Sequence, residues 1–218
     1  MKTNKEKKVS MPKFTVIKHP LIQEKLSVMR DSSTPPKMFR ELLKELSALM
    51  VYEITRDIGL IKYRMQTPLC QTNGFRLAKP VVLVPILRAG LVMADGILNL
   101  IQTAKVGHIG LYRDEKSLKP VEYFCKLPKN LGKSITIIID PMLATGFSAA
   151  KSIEIVKKRG GKDIKFVCLI SCPEGYKALH KLHPDIDIYT ANLDDRLNQR
   201  GYILPGLGDA GDRLFGTE

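Results

Sequence analysis

Tryptophan is absent from this chain, and aromatic residues make up only 6% of it. Phe and Tyr are scattered rather than interleaved with the lysines, so a nucleic-acid module built on stacked bases is not expected. No apolar run approaches the roughly 20 residues that a membrane-spanning helix needs, so no membrane partner is expected either. Acidic residues are few beside basic ones, 22 against 35, for a net charge of +13. That balance favours anionic ligands without choosing between a polyanion and a phosphorylated metabolite. Cysteine is sparse too: Cys70, Cys125, Cys168 and Cys172 include no CxxC pair. Reduced, mostly buried thiols in a cytoplasmic protein fit that usage. A zinc site from Cys168, Cys172, His180 and His183 would need C-x3-C followed by H-x2-H in one short unit, which is poor ligand spacing, and no resident metal is expected. The N-terminus lacks the apolar middle of a signal peptide and the arginines of a transit peptide. Residues 1–10 read as a disordered, lysine-rich extension, and 11–218 as a single domain long enough for a real core.

What is present is an ordered series of apolar segments. Met38, Phe39, Leu42, Leu43, Leu46, Leu49 and Met50 recur at helical spacing and predict a helix over 35–56, opened by Pro35 and Pro36. Residues 57–79 suggest a short hairpin, with Asn73-Gly74 as its turn signal. Continuous apolar strands are predicted over 81–84, 106–112, 135–139, 164–170 and 186–189. Helices are predicted over 91–100, 148–158 and 174–182. Alternation of this kind implies an α/β fold with a parallel sheet covered by helices on both faces. Ligands of such sheets sit at the carboxyl ends of strands, so the residues just after strands carry the functional reading.

After the 135–139 strand the chain reads Asp140, Pro141, Met142, Leu143, Ala144, Thr145, Gly146, Phe147, Ser148. An acid at a strand end, then a Thr/Gly/Ser loop opening a helix, suits a sugar phosphate. The acid accepts hydrogen bonds from hydroxyls, and the helix amides cradle the phosphate. The plainer alternative is a βα turn in which Thr145 and Ser148 merely cap the helix. Arg88, in Pro85-Ile86-Leu87-Arg88-Ala89-Gly90, places a forked donor after the first strand, as a pyrophosphate requires. Tyr112-Arg113-Asp114-Glu115 ends the second strand and reads equally as a solvated charged loop. The tail from Gly201 to Arg213 is dense in glycine yet contains Tyr202, Ile203 and Leu204, which suits a loop packed over a site better than disorder.

At these residues the chain resembles a known family. Asp140 to Ser148 resembles the motif by which type I phosphoribosyltransferases bind 5-phosphoribosyl pyrophosphate (PRPP). Leu83 to Leu91 is similar to the pyrophosphate loop of the uracil phosphoribosyltransferases, and Tyr202 to Thr217 to their uracil-binding tail. The resemblance runs from about Phe14 to the C-terminus. It implies a type I phosphoribosyltransferase-like parallel sheet flanked by helices, with a small base-binding hood that includes the tail. It further implies that Arg88 and Arg113 hold the pyrophosphate or phosphate end of PRPP, that Asp140 holds the ribose hydroxyls and that Ala144 to Ser148 cradle the 5′-phosphate. Ile203, Gly208, Asp209 and Ala210 would hold uracil, with Asp209 also near PRPP; Arg113, Asp140 and Asp209 are the candidates for catalysis. Mg²⁺ would arrive bound to PRPP, the chain would form dimers or higher oligomers, and GTP is an effector of some members. Two features stand out: Phe147 replaces a second glycine and raises the question of a positive φ there, and Pro141 follows the acid where relatives outside the family carry a second carboxylate. The rivals are transfer to another base such as hypoxanthine, an RNA-binding regulator on the same fold, and a PRPP sensor without turnover.

Overall fold

The five residues Ile135-Thr136-Ile137-Ile138-Ile139 are all β-branched and all buried, and they form strand β8 at the centre of the molecule. The computed structural model describes residues 13–113 and 120–217, and the side chain of Arg113 lies outside that description. The predicted extension over residues 1–10 therefore lies outside the described residues. In chain order the elements are β1 (Phe14–Val16), α1 (Pro20–Arg30), α2 (Pro36–Ile54), β2 (Leu60–Gln66), β3 (Gln71–Leu77), β4 (Val81–Leu87), α3 (Gly90–Leu98), β5 (Lys105–Val106), β6 (His108–Arg113) and β7 (Pro120–Lys126). After β8 come β9 (Met142–Leu143), α4 (Phe147–Lys158), β10 (Asp163–Ser171), α5 (Pro173–Leu182), β11 (Asp187–Leu193), β12 (Arg196–Leu197), β13 (Ile203–Leu204) and α6 (Ala210–Phe215).

The main sheet runs β1-β11-β10-β8-β4-β6-β7, with β5 also on β4 and β9 on β10. Every pairing in it is parallel except β6 with β7. Along β8 the side chains alternate between two cores. Ile137 and Ile139 face α1, α2, α3 and the C-terminal tail, while Ile138 faces α4 and α5. Burial on both faces is why β4, β8 and β10 read as unbroken apolar runs.

Helix α2 buries Phe39, Leu42, Leu43, Leu46, Met50, Val51 and Ile54, whereas Met38 is exposed. Its C-terminal carbonyl at Ile54 accepts from the buried Lys165 Nζ at 2.7 Å, and Lys165 also pairs with Asp57.

Two expectations need correction. The hairpin is present as β2 and β3, but Asn73-Gly74 is not its turn. Both residues lie within β3, where a Cβ on Gly74 would come within 2.6 Å of Met65 Sδ and 2.9 Å of the Tyr63 ring. The chain instead reverses at Thr67 to Cys70, where Thr67 Oγ1 accepts from Cys70 N–H at 3.0 Å. Here the glycine answers to cross-strand packing rather than to turn geometry. The tail, in which no periodicity was visible, contains β13 and α6; six residues are too few to display a helical stripe.

Candidate active site

Strand order determines where a site can form. From β8 the sheet is continued by β10, β11 and β1 on one side, and from β4 by β6 and β7 on the other. The order therefore reverses between β4 and β8, and the loops leaving their carboxyl ends open a crevice at that point. A cavity of about 290 Å³ sits there, lined by Ile86, Leu87, Arg88 and Ala89 after β4, Asp140 and Met142 after β8, and Asp209, Ala210 and Gly211 from the tail. Three segments distant in sequence thus converge on one pocket. Gly90 keeps the first two together: a Cβ there would lie 2.4 Å from the Ile139 carbonyl oxygen.

The loop after β8 is stitched to β10. Asp140 N–H donates to Val167 C=O at 3.1 Å, and Pro141 C=O accepts from Leu169 and Ile170 N–H at 2.9 and 3.0 Å. Pro141 and Leu143 are buried, so of the three residues after the acid only Met142 lines the pocket. Gly146 then takes φ +79° as the N-cap of α4, with no side-chain capping bond. Thr145 and Ser148 are therefore not caps of α4. The first intrahelical bond is Ala150 N–H to Gly146 C=O at 2.9 Å. The amides of Phe147, Ser148 and Ala149 precede it and have no acceptor within the helix.

Phe147 does not need a positive φ. Gly146 carries that conformation, and Phe147 begins the helix with its side chain 50% exposed. Phe147→Gly is accordingly expected to change PRPP affinity by less than about threefold and to cost no more than about 1 kcal/mol of stability, the ordinary penalty of a helical glycine. Isothermal titration with PRPP beside a thermal melt checks both.

Asp140 carries the distinctive electrostatics. Burial raises its carboxyl to about 7; the Met142 amide, donating at 3.4 Å, pulls it down, and the negative charge of Asp209 pushes it up again. Across the pocket, Arg88 leans on the tail, 3.7 Å from Asp212 and stacked over the Phe215 ring at 5.4 Å. Asp209 is the N-cap of α6, its carboxylate accepting from Asp212 N–H at 3.0 Å. Ile203 is buried in the core, and neither it nor Gly208 lines the cavity. Arg113 ends β6, and its side chain, with residues 114–119, lies outside the described residues.

Several supports of the site went unread in the sequence. Gly175 on α5 presses so closely on the loop between β8 and α4 that a Cβ would fall 2.2 Å from Leu143 O and 2.4 Å from Ala144 O. Cys172 Sγ donates to Ala144 C=O at 3.4 Å, and burial raises its pKa and takes that of Cys168 to about 12, so these thiols are structural. Arg213 reaches from α6 to the carbonyls of Met29 (2.8 Å), Leu207 (2.9 Å) and Asp31, and Arg40 donates to Leu214 C=O at 2.7 Å. Asp194, after β11, is bound by Arg30. Only Asp194 carried a signal, since it follows a strand at the ligand end of the sheet.

Comparison with known proteins agrees with this geometry. A family model described as uracil phosphoribosyltransferase matches residues 16–217. A uracil phosphoribosyltransferase of Clostridium tetani is 59% identical over 209 residues, 95% of this chain and 100% of that protein. One from Lactiplantibacillus plantarum is 57% identical over the same shares. Among solved structures, the AQ2163 protein from Aquifex aeolicus superposes with a TM-score of 0.90 at 38% identity, covering 94% of this chain and 99% of that one. A hypoxanthine phosphoribosyltransferase from Staphylococcus aureus, at 17% identity and a TM-score of 0.50 over 72% of this chain and 76% of that one, shares the fold alone. With the segments after β4 and β8 and the tail meeting at one pocket, and these matches spanning nearly all of its length, the chain belongs to the uracil phosphoribosyltransferase family.

Proposed function

We propose that the chain transfers the 5-phosphoribosyl group of PRPP to uracil, giving UMP and diphosphate, a step of pyrimidine salvage. The observation that carries the reading is the single cavity in which Arg88, Asp140 and Asp209-Ala210 face one another. Ala144 to Ser148 do not line that cavity but follow Asp140 and Met142, which do; there the free amides opening α4 take the 5′-phosphate, helped by the helix dipole and the hydroxyls of Thr145 and Ser148. The ionised Asp140 accepts hydrogen bonds from the ribose hydroxyls. Arg88 faces the diphosphate, on which negative charge grows as the bond to the anomeric carbon breaks, and Arg113 is the second cation assigned to it. Uracil N1 attacks the opposite face of that carbon, so the configuration inverts, and the N1 proton passes to the departing diphosphate or to water. Positioning and charge stabilisation supply the acceleration. Mg²⁺ enters as part of the substrate, bound to PRPP, and neutralises charge on the leaving group.

Base choice rests on polarity. Backbone groups around Ala210, which lines the cavity, with those of Gly208 beside it, would pair with the acceptors O2 and O4 and the N3–H donor of uracil. Cytosine presents an amine where O4 would be and leaves a donor facing a donor.

The proposal extends to residues 11–218 as a single catalytic domain working in the cytoplasm. Among the described residues no helix is long and apolar enough to cross a membrane. It extends also to a homodimer or higher oligomer, since the β2–β3 hairpin exposes Leu60, Ile61, Tyr63, Met65, Phe75 and Leu77. An assay with PRPP, Mg²⁺ and radiolabelled uracil, run beside hypoxanthine and cytosine and with and without GTP, tests the reading. UMP as the dominant product supports it. IMP formation, or salt-sensitive RNA binding without turnover, overturns it.

A further inference from the structure

Asp194 is a charged residue whose side chain is 1% exposed, and it stands outside the pocket. It follows β11 at the carboxyl edge of the sheet. Its two oxygens are fully engaged. Oδ1 accepts from Arg30 Nη2 at 2.6 Å and Asn192 Nδ2 at 2.6 Å, and Oδ2 accepts from Arg30 Nη1 at 2.7 Å and Gly206 N–H at 2.8 Å. Arg30 Nη1 also donates to Gly206 C=O at 2.7 Å. Both backbone groups of Gly206 are thus gripped by one bidentate ion pair. Gly206 itself has φ +62°, and a Cβ there would lie 2.1 Å from Ile203 O, so only glycine fits at this point of the tail. Burial works against the charge of Asp194, yet its donors outweigh that and hold its carboxyl below the usual range.

The next residues lead directly into the site. Leu207 is buried, and Asp209 and Ala210 line the cavity. The far side of the same stretch is tied down by Arg213, which binds Leu207 C=O and the last carbonyls of α1. A helix end favours a cation at its carbonyls, so α1 acts as the post to which both ends of the stretch are fastened.

We infer that Asp194, held by Arg30, is a positioning residue that sets the pyrimidine-binding stretch Gly206–Ala210 against the PRPP pocket. It touches neither substrate. The inference rests on the tail as the base-binding element. A buried pair of this kind is retained for geometry, since removing one partner leaves the other charged and unmatched.

The test uses Asp194→Asn and Arg30→Lys in the full chain, with Asn192→Ala as a milder third variant should the first fail to fold. Steady-state constants are measured for uracil and PRPP, together with amide hydrogen exchange of residues 206–213. In Asp194→Asn the KM for uracil is expected to rise at least tenfold, while PRPP affinity by calorimetry changes less than twofold. Arg30→Lys should fall between it and the wild type. Exchange should speed up in 206–213 and remain unchanged in 85–90. Equal loss for both substrates, or unaltered exchange in the tail, overturns the inference. Exchange needs no turnover, so a wild-type protein that makes no UMP would sink the base assignment while the clamp is still judged by its own readout.

Discussion

Asp140→Asn is expected to lower kcat/KM for PRPP by about 10- to 10²-fold and, at the same time, to raise the melting temperature of the ligand-free protein by a few degrees. The loss of activity follows from charge. A hydrogen bond to an ionised acceptor contributes about 1.5–3 kcal/mol, and the amide retains only a neutral oxygen for the ribose hydroxyls. The gain in stability follows from the same burial. The folded-state carboxyl sits at about 7, above its ordinary 3.8, so the fold resists ionising it. A group whose pKa is raised by folding destabilises the native state fully above the folded value and ceases to do so below the unfolded one. The advantage of the Asn variant should therefore be widest near pH 8 and vanish below pH 4. Each pKa unit corresponds to about 1.4 kcal/mol, and because the pocket leaves the carboxylate partly exposed, about 1–2 kcal/mol is expected in practice. In the wild type, kcat/KM for PRPP should decline as pH falls through about 7. Thermal melts from pH 4 to 8 beside a pH–rate profile decide the matter. A flat profile, or a variant no more stable than the parent at pH 8, would contradict this account of Asp140.

The second large effect is expected at Gly175, which touches no substrate. By helix propensity alone, Gly175→Ala on α5 should stabilise the protein by about 1 kcal/mol. The tertiary contact predicts the opposite. The added methyl would stand 2.2 Å from Leu143 O and 2.4 Å from Ala144 O, against about 3.3 Å for a tolerable C···O approach. Both are backbone atoms of the loop between β8 and α4, so the loop or the helix must yield by about 1 Å. Overpacking costs about 1–3 kcal/mol, which cancels or exceeds the propensity gain. A displacement of that size at a positioning loop costs on the order of 10²-fold in rate. The KM for PRPP should rise accordingly, and the melting temperature should fall or stay level. A Gly175→Ala protein with both a higher melting temperature and full activity would show that the loop is not held from behind by α5.

How far the sequence carried can be judged element by element. Strands β4, β8 and β10 and helices α4 and α5 were legible to within a few residues, because burial on both faces makes a strand continuously apolar and its helix amphipathic. Helix α1 was not, since it buries only Ile22, Leu26 and Met29, a stripe too thin to stand out. Strand β7 was not, because most of its side chains are exposed and no pattern of burial marks it. Of the residues that line the cavity, Arg88 and Asp140 stood out by local chemistry, each following a strand, whereas Asp209 and Ala210 were singled out only through the family resemblance of the tail. The question raised by Phe147 needed the backbone: the positive φ belongs to its neighbour Gly146.

The order of strands, helices and the loops after the strands was written in the chain itself, because burial periodicity and the chemistry of a strand end are local properties. What brings Arg88, Asp140 and Asp209 to one crevice is the reversal of strand order between β4 and β8, together with the hold of Arg30, Asp194 and Arg213 on the tail. Those are contacts between residues far apart in sequence. No local pattern encodes them, so the folded structure alone decides them.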